Sequence, residues 1–60
     1  MSKERKHLLL DMIAETMDLL YQAWRILYDE GRDSDDEVTR RVEKCLIILG
    51  KVRKAMVPGN

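Results

Sequence analysis

Apolar residues recur at helical spacing along the first half of the chain. The six that define the pattern are separated alternately by three and four positions: Leu10, Ile13, Met17, Leu20, Trp24 and Leu27. This is the heptad spacing of a helix that packs along one face against another helix. No Gly or Pro occurs between Leu8 and Tyr28, and strong helix formers dominate this segment. The pattern predicts a first helix over about residues 2–30.

A second apolar series follows a short polar segment. Its members are also three or four positions apart: Val38, Val42, Cys45, Leu49, Val52 and Met56. Ser34 and Glu37 have the spacing of a capping box, which marks a helix start. Basic residues followed by Pro58 and Gly59 mark a helix end. We therefore predict a second helix over about residues 35–57, with Cys45 packed as a small core hydrophobe.

The connection between the two helices is short and contains Gly31. It runs from Asp29 to Asp33, and connections of this length favour antiparallel helical neighbours. The chain has no strand-like alternation and no repeat of solenoid length. We predict an all-α fold, in which residues 1–60 form a single domain, an antiparallel helical hairpin of two long helices.

The apolar part of the first helix is too broad for one hairpin to cover. At 100° per residue its polar residues share a narrow stripe, and the apolar arc spans roughly 200°. Leu46 to Leu49 add four consecutive apolar residues to the second helix. A chain of 60 residues with one Cys is near the lower size limit for folding alone and has no internal disulfide to help it. We therefore expect two hairpins to associate into a four-helix bundle. The residues expected to form the oligomer or partner interface are Leu10, Ile13, Met17, Leu20, Trp24, Leu27, Ile48 and Leu49.

The charges are balanced in number but segregated in position. The chain has 11 basic and 11 acidic side chains. Six acids and one base lie between Asp29 and Glu37, and we call this segment the acidic pole. We call the basic residues near the two chain ends the basic pole: Lys3, Arg5, Lys6, Lys51, Arg53 and Lys54. Because a head-to-tail pair of hairpins would bring opposite poles together, we predict an antiparallel, two-fold symmetric homodimer.

Residues that commonly carry chemistry do not form a recognisable site. The acids beginning at Asp33 imitate the start of a calcium loop, but Val38 and Lys44 stand where that loop needs Gly and Glu. One Cys and one His do not make a closed zinc site. We expect no catalytic residues, no metal and no cofactor, and we predict that the protein is not an enzyme.

Membrane insertion and secretion are not expected. Acidic residues such as Asp11, Glu15 and Asp18 interrupt the longest apolar segment, and charges near the centre of a membrane span are costly. No cleavable signal pattern opens the chain. A cytoplasmic location without a membrane partner is the expectation.

These patterns favour one function class and leave a second open. The first is a small non-enzymatic regulatory or adaptor protein that acts by helix–helix association, as an antiparallel homodimer or with a larger protein partner. The second is binding of an RNA or DNA backbone by the basic pole, with low sequence specificity. The predicted bundle is similar to the Rop type of plasmid RNA regulator in hairpin length and layout, although not in matching residues. That resemblance implies RNA binding, but fold alone does not carry function.

Overall fold

The computed structural model describes residues 2–57 and consists of two α-helices joined by a loop. Helix α1 spans Lys3–Asp29, and helix α2 spans Glu37–Met56. The helices pack against each other as a hairpin with overall dimensions of 43 × 17 × 15 Å. The predicted all-α hairpin is confirmed. The loop covers residues 30–36 and is longer than predicted, and the helix stop predicted at Pro58 and Gly59 lies outside the described residues.

Both ends of α1 are capped by local hydrogen bonds. At its start, the Ser2 hydroxyl accepts from the Arg5 backbone N–H at 3.2 Å. After its last turn, Gly31 has a φ of 85°. The Arg32 N–H donates to the Leu27 carbonyl at 2.8 Å, and the Gly31 N–H donates to a carbonyl of the same turn. This is a Schellman arrangement, which requires the left-handed conformation that glycine adopts without strain.

The start of α2 differs from the prediction. The capping residue is Asp36, whose carboxylate accepts from the Thr39 backbone N–H at 3.1 Å, so the capping box predicted at Ser34 is wrong. The Thr39 hydroxyl is fully buried and donates to the Arg32 carbonyl at 3.0 Å. This bond ties the first turn of α2 to the residue after the Schellman turn. The loop therefore continues to Asp36, and Ser34 is left to bond Glu43 instead.

Replacing Thr39 with valine tests this anchor, because valine preserves the shape but cannot donate to the Arg32 carbonyl. We expect the free energy of unfolding to fall by about 1–2 kcal/mol, the usual cost of losing a buried hydrogen bond. Urea denaturation at a fixed chain concentration measures the effect. Thr39→Ser, which keeps the donor, should retain the loop structure in amide exchange. Equal exchange protection of the loop in T39V and wild type would contradict this role.

The face of α2 that contacts α1 is rotated relative to the predicted series. Val38, Cys45 and Val52 are exposed, so their predicted packing against α1 is wrong. The contact face instead includes Thr39 and Leu46, each one position later in the chain, together with other half-buried residues of the series. The physical reason is the Thr39 anchor, which fixes the rotation of α2 about its own axis.

The helices are paired so that Met17 lies beside Gly50. A Cβ atom built on Gly50 would lie 3.8 Å from the Met17 Cε atom. This pairing places the end of α2, at Met56, beside about residue 11 of α1. At 1.5 Å per residue, α1 extends about 12 Å beyond α2. We call residues 3–10 the overhang of α1.

Gly31 and Gly50 are expected to affect stability in opposite directions when each is replaced by alanine. Gly50 lies inside α2, and an added methyl would make an ordinary van der Waals contact with Met17. Gly50→Ala should therefore raise the free energy of unfolding by up to about 1 kcal/mol. Gly31→Ala should lower it by about 1 kcal/mol, because a Cβ disfavours the left-handed conformation. Thermal denaturation of both variants checks the pair, and a stabilising G31A would contradict the assigned turn.

Candidate interaction surfaces

The apolar series of α1 first serves the contact inside the hairpin. Ile13 is 7% exposed and is the one buried apolar side chain among the described residues 2–57. The other five members of the series are half-buried: Leu10, Met17, Leu20, Trp24 and Leu27. Of the two α2 residues predicted for the interface, Leu49 is half-buried and Ile48 is exposed. All eight remain candidates for an interface between chains, but most of them already contact the opposite helix.

Trp24 is held on one long side of the hairpin by a polar and aromatic network. Its indole N–H donates to Oε2 of Glu43 at 2.9 Å. Its ring lies 5.7 Å from the ring of Tyr21, nearly parallel to it, and 4.5 Å from the tilted ring of Tyr28. The Ser34 hydroxyl donates to the same Glu43 oxygen at 3.0 Å and lies 2.9 Å from the Tyr28 hydroxyl. The network joins α1, the loop and α2.

This side, which we call the aromatic side, also carries charge. Tyr21, Trp24, Glu43 and Ile47 line a shallow groove between the helices. The sequence did not predict that Glu43 accepts from Trp24, because the pairing depends on the register of the two helices. Since both donors share one carboxylate oxygen, Glu43→Ala should cost about 1–3 kcal/mol and shift the fluorescence of Trp24, the single tryptophan. Unchanged emission and stability would show that the bond is unimportant.

The opposite long side exposes apolar residues on both helices. At 100° per residue, the exposed residues Leu8, Met12, Leu19 and Ile26 fall within about 40° of one another on α1. The exposed residues Val38, Cys45 and Val52 likewise fall within about 40° on α2. On α1 these residues lie on the opposite side of the contact face from Tyr21. On α2 they lie on the opposite side of the contact face from Ile47. Because the helices are antiparallel, the two groups lie on the same side of the hairpin. We call it the apolar side, and it consists of Leu8, Met12, Leu19, Ile26, Val38, Cys45 and Val52.

The hairpin exposes more surface than a compact chain of its size. Its accessible surface is 5136 Å², whereas a compact monomer of 7.1 kDa has about 4,100 Å². Its radius of gyration is 13.8 Å, compared with about 10 Å for a compact domain of this length. The excess surface is about 1,000 Å², and large exposed apolar patches commonly mark interaction sites in proteins.

The structure keeps the acidic pole together but separates the basic pole into two groups. Arg32 Nη1 lies 4.0 Å from Asp36 Oδ1, and Arg41 Nη2 lies 3.0 Å from Glu37 Oε1. Both ion pairs are at the loop end, and no basic-pole residue forms an ion pair within residues 2–57. Lys51, Arg53 and Lys54 lie beside the middle of α1, whereas Lys3, Arg5 and Lys6 lie on the overhang. The six residues of the basic pole therefore fall into two groups along the hairpin, because α1 is longer than α2.

The described residues offer no grouping suited to metal binding. Within the span 2–57, no three His, Cys, Asp or Glu side chains lie close enough together to hold a metal ion. Neither helix combines the length and apolar character needed to cross a membrane, as judged over the described part of the chain.

Comparison with protein-family models, curated proteins and solved structures found no match to this chain.

Proposed function

We propose that this protein is a small regulatory or adaptor protein that acts by helix–helix association. In this proposal it is not an enzyme, and it works as an antiparallel homodimer, a four-helix bundle, or with a protein partner. The observation that carries the proposal is the near absence of an apolar core. Among residues 2–57 the hairpin buries one apolar side chain, Ile13, while both helices leave large apolar residues exposed. Helices with exposed apolar stripes gain stability by packing against further helices.

Concentration-dependent unfolding tests self-association. If the native state is a dimer, mass action raises the thermal midpoint as the chain concentration increases. We expect a steady rise over a hundredfold concentration range, with a single cooperative transition followed by circular dichroism. A midpoint that does not change with concentration would contradict the homodimer and leave a different protein as the partner.

Binding to a nucleic-acid backbone is the second candidate. It is supported by the exposed basic residues along one half of the hairpin, which have no ion-pair partner within residues 2–57. Lys and Arg contacts to phosphates are sequence-independent and weaken steeply with added salt. Titration of duplex DNA and structured RNA at low ionic strength tests this function. Salt-sensitive binding that disappears in the K51Q/R53Q/K54Q variant would support it, and no binding at low salt would reject it.

A further inference from the structure

We infer that a second copy of this chain docks on the apolar side of the hairpin, with its own axis antiparallel to the first. This inference rests on the proposed self-association and adds which of the two long sides forms the interface. The interface runs along the whole apolar side, from Leu8 to Ile26 on α1 and from Val38 to Val52 on α2. The aromatic side stays exposed in the dimer.

The chemistry of the two sides differs. On the apolar side, α1 presents apolar residues and a single polar one, Thr16, from Leu8 to Leu27. The Thr16 hydroxyl donates to the Met12 carbonyl at 2.8 Å, so its donor is already satisfied inside the helix. Covering this side therefore leaves no donor of α1 unpaired. On the aromatic side, a partner would have to cover Glu43, a charged carboxylate whose desolvation is costly.

The excess surface of the hairpin is similar in size to the area that a stable dimer buries on each partner. The surface exceeds that of a compact monomer by about 1,000 Å². An interface of standard size buries about 800 Å² on each partner. A second hairpin laid along the apolar side would bring the surface per chain closer to that of a compact protein. The half-buried residues next to this side, such as Leu20 and Leu49, would then join a four-helix core.

Charge and shape both favour the antiparallel orientation. The overhang of α1 carries Lys3, Arg5 and Lys6 and exposes Leu8, with no α2 residue beside it. If two antiparallel copies are centred on the middle of α1, the overhang of each lies beside the acidic pole of the other. In this arrangement the second copy also covers the exposed Leu8 side chain. Parallel copies would instead place the two acidic poles together, and like charges in contact disfavour that arrangement.

These features identify the occupant as another copy of the chain. Each copy carries the acidic pole that the overhang of the other copy requires. A two-fold interface needs a self-complementary surface. Each copy supplies the apolar stripes of both helices, the basic residues of the overhang and the acidic pole. No additional component is needed to complete the core.

Two isoleucines provide a matched test of the side. Ile26 lies on the apolar side and Ile47 on the aromatic side, and they are 62% and 59% exposed. Each is replaced by lysine, and the dimer dissociation constant is measured by sedimentation equilibrium, with helix content checked by circular dichroism. We expect I26K to raise the dissociation constant by about 100-fold or more, because a charge enters the interface. I47K should stay within about threefold of wild type, because a charge on an exposed side has little effect.

The outcomes separate the two proposals. A dimeric wild type that is disrupted by I47K but not by I26K, or by neither, would overturn the choice of side while leaving self-association intact. A monomeric wild type would overturn the proposed self-association itself. If I26K both dissociates and unfolds, the wild-type measurement below decides, because it requires no substitution on the apolar side.

Cys45 reports on the apolar side in the wild-type protein. It is exposed in the single hairpin, so its thiol should react freely in dilute solution. At chain concentrations well above the dissociation constant, we expect modification by a thiol reagent to slow about tenfold or more, because access is lost. In a C45S/I47C variant the thiol on the aromatic side should react at one rate at all concentrations. Slowing at position 47 but not at Cys45 would overturn the inference.

Discussion

Replacement of Trp24 with alanine is expected to lower the free energy of unfolding by about 3 kcal/mol, at the lower end of the range for Trp→Ala because the ring is half-buried. The substitution removes the largest side chain between the helices, the hydrogen bond to Glu43 and the stacking on Tyr21 and Tyr28. A chain of 60 residues has a total stability of about 3–9 kcal/mol. The variant should therefore lose between about one third and all of the stability of the hairpin.

Trp24→Phe is the matched control, since it keeps an aromatic ring but removes the indole N–H. We expect it to lower the free energy of unfolding by about 1.5 kcal/mol, the lower end of the range for a hydrogen bond to a charged group, in addition to a small loss of packing. Chemical denaturation followed by circular dichroism measures both variants, because their fluorescence differs. If the free energy of unfolding of W24A lies within about 0.5 kcal/mol of that of wild type, Trp24 does not hold the hairpin together.

The second large effect is expected at Ile13, the one buried apolar side chain of the described hairpin. Ile13→Ala should lower the free energy of unfolding by about 2–4 kcal/mol, because it removes buried methyl groups and leaves a cavity between the helices. Ile47→Ala makes the same chemical change at an exposed position and should cost less than about 1 kcal/mol, apart from helix propensity.

Denaturation of I13A and I47A at equal chain concentration checks this difference. The comparison is informative because both residues lie inside helices and lose the same atoms. Equal losses of stability would mean that burial within the hairpin does not control its stability. A larger loss in I47A would place the main apolar contact on the aromatic side.

The two helices and their antiparallel pairing could be predicted because they depend on local signals. Heptad spacing in α1 and the absence of Gly and Pro specify a helix without reference to the rest of the chain. Gly31 marks the turn, and its left-handed backbone is observed. The broad apolar arc of α1 was also readable from the sequence, and the structure leaves Leu8, Leu19 and Ile26 exposed on it.

The rotation of α2 could not be predicted, because a tertiary bond controls it. A heptad series through Val38 and Cys45 is as regular as one through Thr39 and Leu46. The choice between them depends on the Thr39 hydroxyl, which finds the Arg32 carbonyl only after the Schellman turn has formed. Valine is buried in proteins more often than threonine, so the sequence pattern favours the face of α2 that includes Val38. The structure instead buries Thr39 and leaves Val38 exposed.

The candidate interface was predicted in kind but not in position. The sequence indicated that one helix has too much apolar surface, and it assigned the interface to the series from Leu10 to Leu27. In the hairpin this series faces α2, and the apolar side that we propose for docking lies next to it. Distinguishing the two requires knowing which part of the arc α2 covers, and that depends on register. The overhang of α1 likewise follows from the Met17–Gly50 pairing.

Sedimentation equilibrium of the wild-type chain tests the central claim most directly. The claim is that one hairpin leaves too much apolar surface exposed and therefore pairs with a second hairpin. We predict a mass twice that of the 7.1 kDa chain at high concentration, with reversible dissociation on dilution. A mass of one chain at every concentration, for a protein that still melts cooperatively, would contradict the account.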